Sequence, residues 1–565
     1  MNEVTEEFVS YFKTLLGGTR TQRDISLDFL RPVINHCLSQ EESDALCAPI
    51  TENEIRDAII DITEDSALSP DGYTSAFFKA SWSVVGHEVS AAVGEFFRSG
   101  KLLKQINATL LVLIPKVQMP SQVSDYRPIS CYNIIYKTIT KIIVKRMQIV
   151  LDLLIDHSQN AFVPGRSISD NILLAQELLA GYNQTRLPPR CTIKVDLQKA
   201  YDSGEWDFLL EVLKLFNFPA RADIPSIQVI KNTLSEFAAL SGLKVNPNKS
   251  QIILSRAEQQ DKQQMIDVLG FQEGSLPVKY LGVPLISSRL KIADCKPLIN
   301  KLGSRIAGWS HLNLSFAGRA QLIKSVLSTL HSYRASVFIL PKGVITLLEA
   351  KMRKFLWQGS TGRGHAKVAW EQVCRPKEEG GLGFRSILVM NKALMMKHLW
   401  KLVQHDSKSI WVAWILQYRL HNNTLWTFNG STGSCGWKKM IKLRSILKSG
   451  LLYHVGSGNT FKIWQDIWRE QGPLCISHPR GPTITGLPLD SLLSRVLQHG
   501  QWNWPAQSDI DIMEIISYLP PVRQNTPDTI TWRHASGQFF CPFHNGAAPA
   551  TDKLCSIAWT PTGQV

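Results

Sequence analysis

The sequence predicts an α+β protein that passes into a mainly helical, tryptophan-rich C-terminal region. Three observations carry that reading. Short strand-like runs, LLVLIPK (110–116), CTIKVDL (191–197) and GLKVNPNKSQIIL (242–254), stand between stretches of helical period. Between Ile134 and Asp156, apolar residues at Ile135, Ile139, Ile142, Ile143, Met147, Val150, Leu151 and Leu154 keep one helical face. From about Trp400 onward tryptophan recurs, as in FKIWQDIW (461–468).

At 565 residues the chain is too long for one core, and 44% hydrophobic with 19% charged residues marks it as globular. It has no apolar run of about 18 residues, so no membrane span is expected. MNEVTEEFVSYF lacks the basic leader and apolar segment of a secretory signal, so an intracellular location, nucleus or cytoplasm, is expected. The 10 cysteines include no CxxC pair, which suits a reducing compartment. Cys541, His544 and Cys555 make one CxxH and a distant cysteine, a weaker pattern than a zinc site requires.

The net charge of +15 is unevenly spread. Residues 1–100 hold 7 Lys and Arg against 17 Asp and Glu, while the rest hold 55 against 30. An acidic leader on a basic body points to a nucleic-acid partner for the body, because Lys and Arg displace the counterions of phosphates.

In chain order, residues 1–66 form an acidic helical leader in which TENEIRDAI (51–59) carries a capping box. SPDGYTSAFFK (69–79) is a Pro-Asp-Gly turn into a helix. LLVLIPK is read as a short buried strand ending at Lys116, and DYRPIS (125–130) presents Arg127. On the helix that follows, Lys137, Lys141 and Lys145 share a face that is either a phosphate contact or a solvated surface. Pro164 and Gly165 make a turn carrying Arg166, with a helix from Asp170. The strand CTIKVDL ends on Asp196, an amphipathic helix runs from Glu205 to Phe216, and Lys249 stands near the Asn-Pro turn. GGLGFRSI (380–387) lacks the strand-then-helix frame of a phosphate loop and is read as a turn. Buried tryptophans, rather than base-stacking ones, are expected in the C-terminal region.

Taken in order, IPK (114–116), DYRPISCYNIIYKTITKIIVKRM (125–147), QNAFVPGRSISDNILLAQEL (159–178), KVDLQKAYDSGEWDFL (194–209) and GLKVNPNKSQI (242–252) resemble the reverse transcriptases of plant non-LTR, LINE-type retrotransposons. YLGVPL (280–285), GRAQLIKSVL (318–327) and GGLGF (380–384) continue the likeness. The resemblance implies a right-hand polymerase of fingers, palm and thumb that copies RNA into DNA with Mg²⁺, on an RNA and DNA template–primer. It implies residues 67–190 as fingers-like, 191–256 as palm, 257–400 as a thumb- or connection-like helical region and 401–565 as the Trp-rich region. Asp196 matches the first metal-binding carboxylate and Tyr201 the aromatic gate against a ribose 2′-hydroxyl. Lys116 and Arg127 match the residues that grip the incoming triphosphate, and Arg166 lies in the block that contacts template. Lys249 matches a lysine that protonates the leaving pyrophosphate.

The same resemblance exposes a gap. The family carries, after the helix that ends here near Phe216, an insert with a strand hairpin bearing an aromatic-Ala-Asp-Asp turn. In this chain only NFPARAD (217–223) stands before the next helical stretch, and no Asp-Asp dipeptide occurs anywhere. Asp202 is read as a helix-start residue accepting backbone amides rather than a second metal ligand. The palm is therefore expected to be incomplete, its Mg²⁺ site doubtful and its polymerase activity absent. The alternatives are a residual nucleic-acid-binding protein and a non-functional product of a decayed element. SPDG (69–72) is shorter than the family's usual SPGPDG, Gly204-Glu205 is atypical before Trp206, and the C-terminus reads as truncated.

Overall fold

The structure is a computed structural model. It describes residues 2–17, 34, 36–64, 69–117, 119–182, 184, 190–196, 206–217, 246, 249–255, 263, 272–309, 312–358, 365–421, 423–430, 432–469, 471–523, 526–533 and 539–540. The chain divides into two compact units. The first takes residues 1–164, 192–253 and 259–273; the second takes 165–191, 254–258 and 274–565. No helix of the described residues is long and apolar enough to cross a membrane.

The first unit opens with helices α1 (Asn2–Gly17), α2 (Gln40–Cys47), α3 (Glu52–Ile60), α4 (Ser75–Ala80) and α5 (Trp82–Ser99). Strands β1 (Thr109–Pro115) and β2 (Tyr126–Tyr132) follow, then the long helix α6 (Ile134–Leu154). The buried face of α6, with Ile134, Ile139 and Ile142, packs on Ile55, Ala58 and Ile59 of α3 and on Val89 and Val93 of α5. The core of this unit thus draws on the acidic leader as well as on α6.

The box expected at TENE closes only by half. The Thr51 hydroxyl accepts the Glu54 amide at 3.2 Å, but the Glu54 carboxylate turns to Arg146 of α6, 2.8 Å from both Nε and Nη2. That guanidinium holds the Glu54 carboxyl below its usual range, and its Nη1 also takes up the Leu46 and Ala48 carbonyls. A complete capping box forms instead at Ser39 and Glu42, before α2.

Two expectations change here. Lys141 donates to the Asp61 carbonyl at 2.6 Å and Lys145 pairs with the Asp61 carboxylate, so these lysines fasten α6 to the end of α3. The strand LLVLIPK forms, but it is not buried. Among the described residues β1 pairs only with β2, Val112 against Ile129 and Ile114 against Arg127, and no third strand joins the ribbon. A two-stranded ribbon has two faces and little to cover them, so Leu110, Val112, Ile114 and Ile129 stay exposed.

The second unit begins at the Pro-Gly turn, where Gly165 takes φ +79°, and runs into α7 (Ile168–Leu178). The first unit, by contrast, takes in most of strand β3 (Arg190–Lys194), helix α8 (Trp206–Leu215) and most of strands β4 (Gln251–Ser255) and β5 (Gln272–Gly274), with the three strands in one sheet of order β3-β4-β5. The strand expected over 242–245 lies outside the described residues.

β6 (Val278–Tyr280) and β7 (Val283–Leu285) then form a hairpin. Helices α9 (Lys296–Trp309), α10 (Phe316–Leu322), α11 (Lys342–Gln358) and α12 (Ile387–Val403) come next. α13 (Ile410–Trp414) passes into a π-turn at Ile415–Leu420, and α14 (Cys435–Ile441) and α15 (Arg444–Gly450) follow. α12 is apolar on most of its circumference and buried accordingly, from Ile387 and Met390 to Leu399, Trp400 and Leu402. One polar residue inside it is fully used: Asn391 accepts the Leu340 amide and donates to the Ala335 and Phe338 carbonyls. GGLGF is a turn, as its lack of a preceding strand requires. Gly380 and Gly383 take φ +81° and +69°, and a Cβ on Gly381 would lie 2.0 Å from the Arg375 carbonyl oxygen.

A sheet of β8 (Leu451–His454), β9 (Thr529–Arg533) and β10 (Phe539–Phe540), in the order β10-β9-β8, borders the tryptophan-rich core. Trp464, Trp468 and Trp504 are buried together, with Trp468 stacked on Trp502 at 5.4 Å between centroids. These indoles fill a core, which is the reading the sequence favoured. Cys541, His544 and Cys555 lie outside the described residues.

Candidate functional site

The alternation of CTIKVDL makes β3 end two residues before Asp196, and the turn before β4 comes to lie beside that end. Three hydrogen bonds fix the junction. The Asp196 amide donates to the Ser250 hydroxyl at 3.0 Å, the Asn246 amide donates to the Asp196 carbonyl at 2.6 Å, and Lys194 Nζ donates to the Lys249 carbonyl at 3.3 Å. Ser250 is buried, as are Ile252 and Ile253 of β4, so the turn is anchored from below while its tip stays in solvent.

Two residues singled out from the sequence, 53 positions apart, therefore meet. Lys249 Nζ stands 3.7 Å from Asp196 Oδ2, with the lysine side chain 68% exposed and the aspartate 37%. An ion pair this open to water contributes about 0–1 kcal/mol. Its importance is chemical: among the described residues the charged partner of Asp196 is a cation. Mg²⁺ requires near-octahedral oxygen ligation, commonly from one or two carboxylates besides water and phosphate. Among the described residues no group of three or more His, Cys, Asp or Glu could hold a metal. Among the described residues, the charged group beside the Asp196 carboxylate is the Lys249 ammonium, which is not a metal ligand while protonated. The Ser250 hydroxyl and Asn246 amide bond the Asp196 backbone. Tyr201 and Asp202 lie outside the described residues.

The other predicted residues fall at separate places. Lys116 follows β1, where its amide donates to the Asp125 carbonyl and its Nζ to the Ser124 carbonyl at 2.6 Å. Arg127 sits on β2 opposite Ile114, so strand alternation puts it on the same face and at the same end of the ribbon as Lys116. Arg127 is exposed, and its side chain forms no hydrogen bond or ion pair with any described residue. Lys116 and Arg127 are brought together by the ribbon; Arg166, just before α7, belongs to the second unit.

The sequence reading missed what holds α7. Asp170, with no exposed surface, accepts Lys401 Nζ from α12 at 2.9 and 3.2 Å. Glu177 accepts Arg419 Nε at 3.1 Å and the Ser434 amide at 3.2 Å. Gln176 donates to the Val337 carbonyl. The available signal was spacing: Asp170 and Glu177, seven apart, flank Leu173 on the buried face of one helix, where a carboxylate is stable only with a partner.

With this arrangement in hand, residues 114–234 match the family described as reverse transcriptase (RNA-dependent DNA polymerase). The chain carries a reverse transcriptase domain. The match begins on β1, takes in Lys116, Arg127, Arg166 and Asp196, and ends before the turn that carries Lys249. Reverse transcriptase domains generally use divalent metal ions and bind a nucleic-acid template.

Of three similar proteins, one is named for a transposon and one as a putative ribonuclease H. A putative ribonuclease H protein of Arabidopsis thaliana is 34% identical over 199 residues, 34% of this chain and 32% of that protein. An uncharacterized 149 kDa protein of transposon TX1 from Xenopus laevis is 29% identical over 181 residues, 32% of this chain and 14% of that protein. An uncharacterized mitochondrial protein of Arabidopsis thaliana is 30% identical over 145 residues, a quarter of this chain and 94% of that protein. The chain thus spans a third or less of the first two relatives.

Proposed function

We propose that this retrotransposon reverse-transcriptase relative derives from a plant LINE-type element and does not polymerise DNA. The observation that carries the proposal is Asp196 facing Lys249, in a sequence that holds no Asp-Asp dipeptide. In this reading residues 67–190 are fingers-like, 191–256 an incomplete palm, 257–400 thumb- or connection-like and 401–565 the Trp-rich region. Tyr201, Lys116 and Arg127 are remnants of the nucleotide site and Arg166 of the template path. Lys249, without a pyrophosphate to protonate, serves as the counter-ion of Asp196. The test is primer extension on an RNA template with Mg²⁺ or Mn²⁺, comparing the chain with Asp196→Asn. Indistinguishable background from both is expected; synthesis that Asp196→Asn abolishes would sink the proposal.

A second reading, nucleic-acid binding without chemistry, is favoured by Arg127, exposed on β2 with no described partner. Binding of single-stranded RNA should then weaken steeply with salt, and Arg127→Glu should weaken it further. Charge reversal at Lys141 or Lys145 should instead lower stability, because both are engaged with Asp61. Equal binding by wild type and Arg127→Glu across a salt series would remove this reading.

A further inference from the structure

The glycine-rich loop VGSGNT (455–460) follows strand β8, the frame that GGLGF lacks. Its amides converge on one side chain. Gly456 and Gly458 both donate to Asp528 Oδ1, at 2.8 and 2.9 Å, and Thr460 donates to Oδ2 at 2.8 Å. Backbone amides aimed from a turn at one point make a concave nest of the kind that holds phosphates and carboxylates. Here the chain's own carboxylate sits in it. Among the described residues no Lys, Arg or His pairs with Asp528, so the three amides answer its charge.

Two glycines make the loop possible. Gly458 takes φ +72°, and a Cβ there would stand 2.7 Å from the Ser494 amide nitrogen. A Cβ on Gly456 would stand 2.2 Å from the Thr526 carbonyl oxygen, so the chain leading to Asp528 lies directly on the loop. That chain is also fastened by the Arg523 amide, which donates to the Val455 carbonyl at 2.9 Å. One residue beyond Asp528, β9 begins, pairing Thr529 with His454 and Trp532 with Leu451. Trp532 is buried and meets Trp400 at 6.3 Å between centroids. Asp528 thus stands where the incoming strand is committed to the sheet. The loop also has a wet side, since Ser457, Asn459 and Thr460 are exposed.

We propose that residues 456–460 form a carboxylate receptor which the chain fills with Asp528, so that β9 is strapped to the sheet by an anion contact that a free carboxylate can replace. Shape selects the ligand. One oxygen takes two amides and the other takes one, which suits the two oxygens and spare lone pairs of a carboxylate. Charge-assisted bonds of this kind are stronger than neutral ones, so an empty receptor leaves three donors without that gain. The receptor shares no residue with the Asp196 junction or with Arg127, so its failure and the failure of either reading of function are separate results.

The test is thermal denaturation of the full chain and its variants with acetate exchanged for chloride at constant ionic strength. Asp528→Ala vacates the receptor. Its melting temperature should drop by several degrees and climb again with the logarithm of acetate concentration, as linkage to one bound anion requires. In the wild type the receptor is full, and in Asp528→Leu a side chain of similar size fills it without charge. Both should show only the effect that acetate has on any fold. An equal climb in all three chains overturns the proposal, as does the absence of a climb in Asp528→Ala. Should Asp528→Ala fail to fold, hydrogen exchange of the wild type and Asp528→Asn decides. The amide group offers one acceptor oxygen in place of two, so at least one of the Gly456, Gly458 and Thr460 amides should exchange about tenfold or more faster in that variant. Equal exchange of all three amides in both chains would mean that Asp528 is not their ligand and overturns the proposal.

Discussion

Asp170 is a buried carboxylate whose partner comes from a distant helix. Its carboxylate is wholly buried and held by one ammonium, and Lys401 is itself 14% exposed. Removing one member of such a pair leaves a charge without solvation, costing about 3–5 kcal/mol. Lys401→Met should therefore lower stability by about that amount in urea denaturation. Asp170→Leu with Lys401→Met should recover most of it. A single-variant loss below about 1 kcal/mol would show the pair to be solvated rather than buried.

Two histidines set a pH dependence for the same unit. Burial holds the imidazoles of His331 and His398 down to about 4, and His398 Nε2 lies 2.7 Å from the Ser336 carbonyl oxygen. His398 faces Asp170, Lys401 and Lys397, whose charges act in opposing directions. A depressed histidine favours the neutral form in the fold. The unfolded chain binds protons as pH falls through 6.5, whereas the folded chain waits until about 4. Stability is thus full above pH 6.5 and declines toward pH 4, by up to about 3 kcal/mol per histidine. Asp466, pushed up to about 6 by burial, acts oppositely between about pH 6 and 3.8 and offsets part of that decline. Melting temperature followed over this range should fall with acid, and His331→Phe should flatten the profile. An unchanged profile in that variant would mean that His331 titrates normally.

At the scale of elements, α6 and the β1–β2 ribbon contrast most clearly. The sequence showed both as apolar, but only α6 has partners on its apolar face. Ile142 is fully buried against α3 and α5, while Val144, two residues on, is 49% exposed. Ile142→Ala should cost about 2–5 kcal/mol through lost burial and the cavity left. Val112→Thr on the ribbon should stay within about 0.5 kcal/mol, because its site is already wet. Thermal or urea denaturation of the two variants compares them directly, and similar losses would show that the ribbon face is covered. The periodicity of α6 was legible because a 3.6-residue repeat is a local property. The openness of the ribbon was not, since a strand's own residues do not reveal whether a third layer exists. α7 was expected from Asp170 after the Pro-Gly turn, but its docking depends on Lys401 of α12 and on Arg419, more than 200 residues away.

At the scale of the whole molecule, sequence and fold divide the chain differently. The ordered blocks run continuously from Ile114 through the turn at Lys249, yet the compact units part at Pro164 and Gly165. Ancestry follows the order of motifs along the chain; a unit follows which apolar faces find one another. The chain's basic balance is likewise a sum over residues, but its fate is decided singly. Lys141 and Lys145 are engaged with Asp61, whereas Arg127 remains exposed.

The sequence by itself determined the mixed class of the fold, helices such as α3 and α6, the turn at GGLGF, the buried tryptophans and a reverse-transcriptase likeness that the family match supports. Each rests on local periodicity, turn chemistry or motif order, none of which needs a distant contact. Tertiary structure decided the rest. It placed Lys249 against Asp196, half-closed the Thr51 box by drawing Glu54 to Arg146, left β1 open, and paired the buried carboxylates of α7. All four depend on side chains far apart in sequence that meet only when elements pack, and the free energy of a charge or an apolar face is set by that meeting.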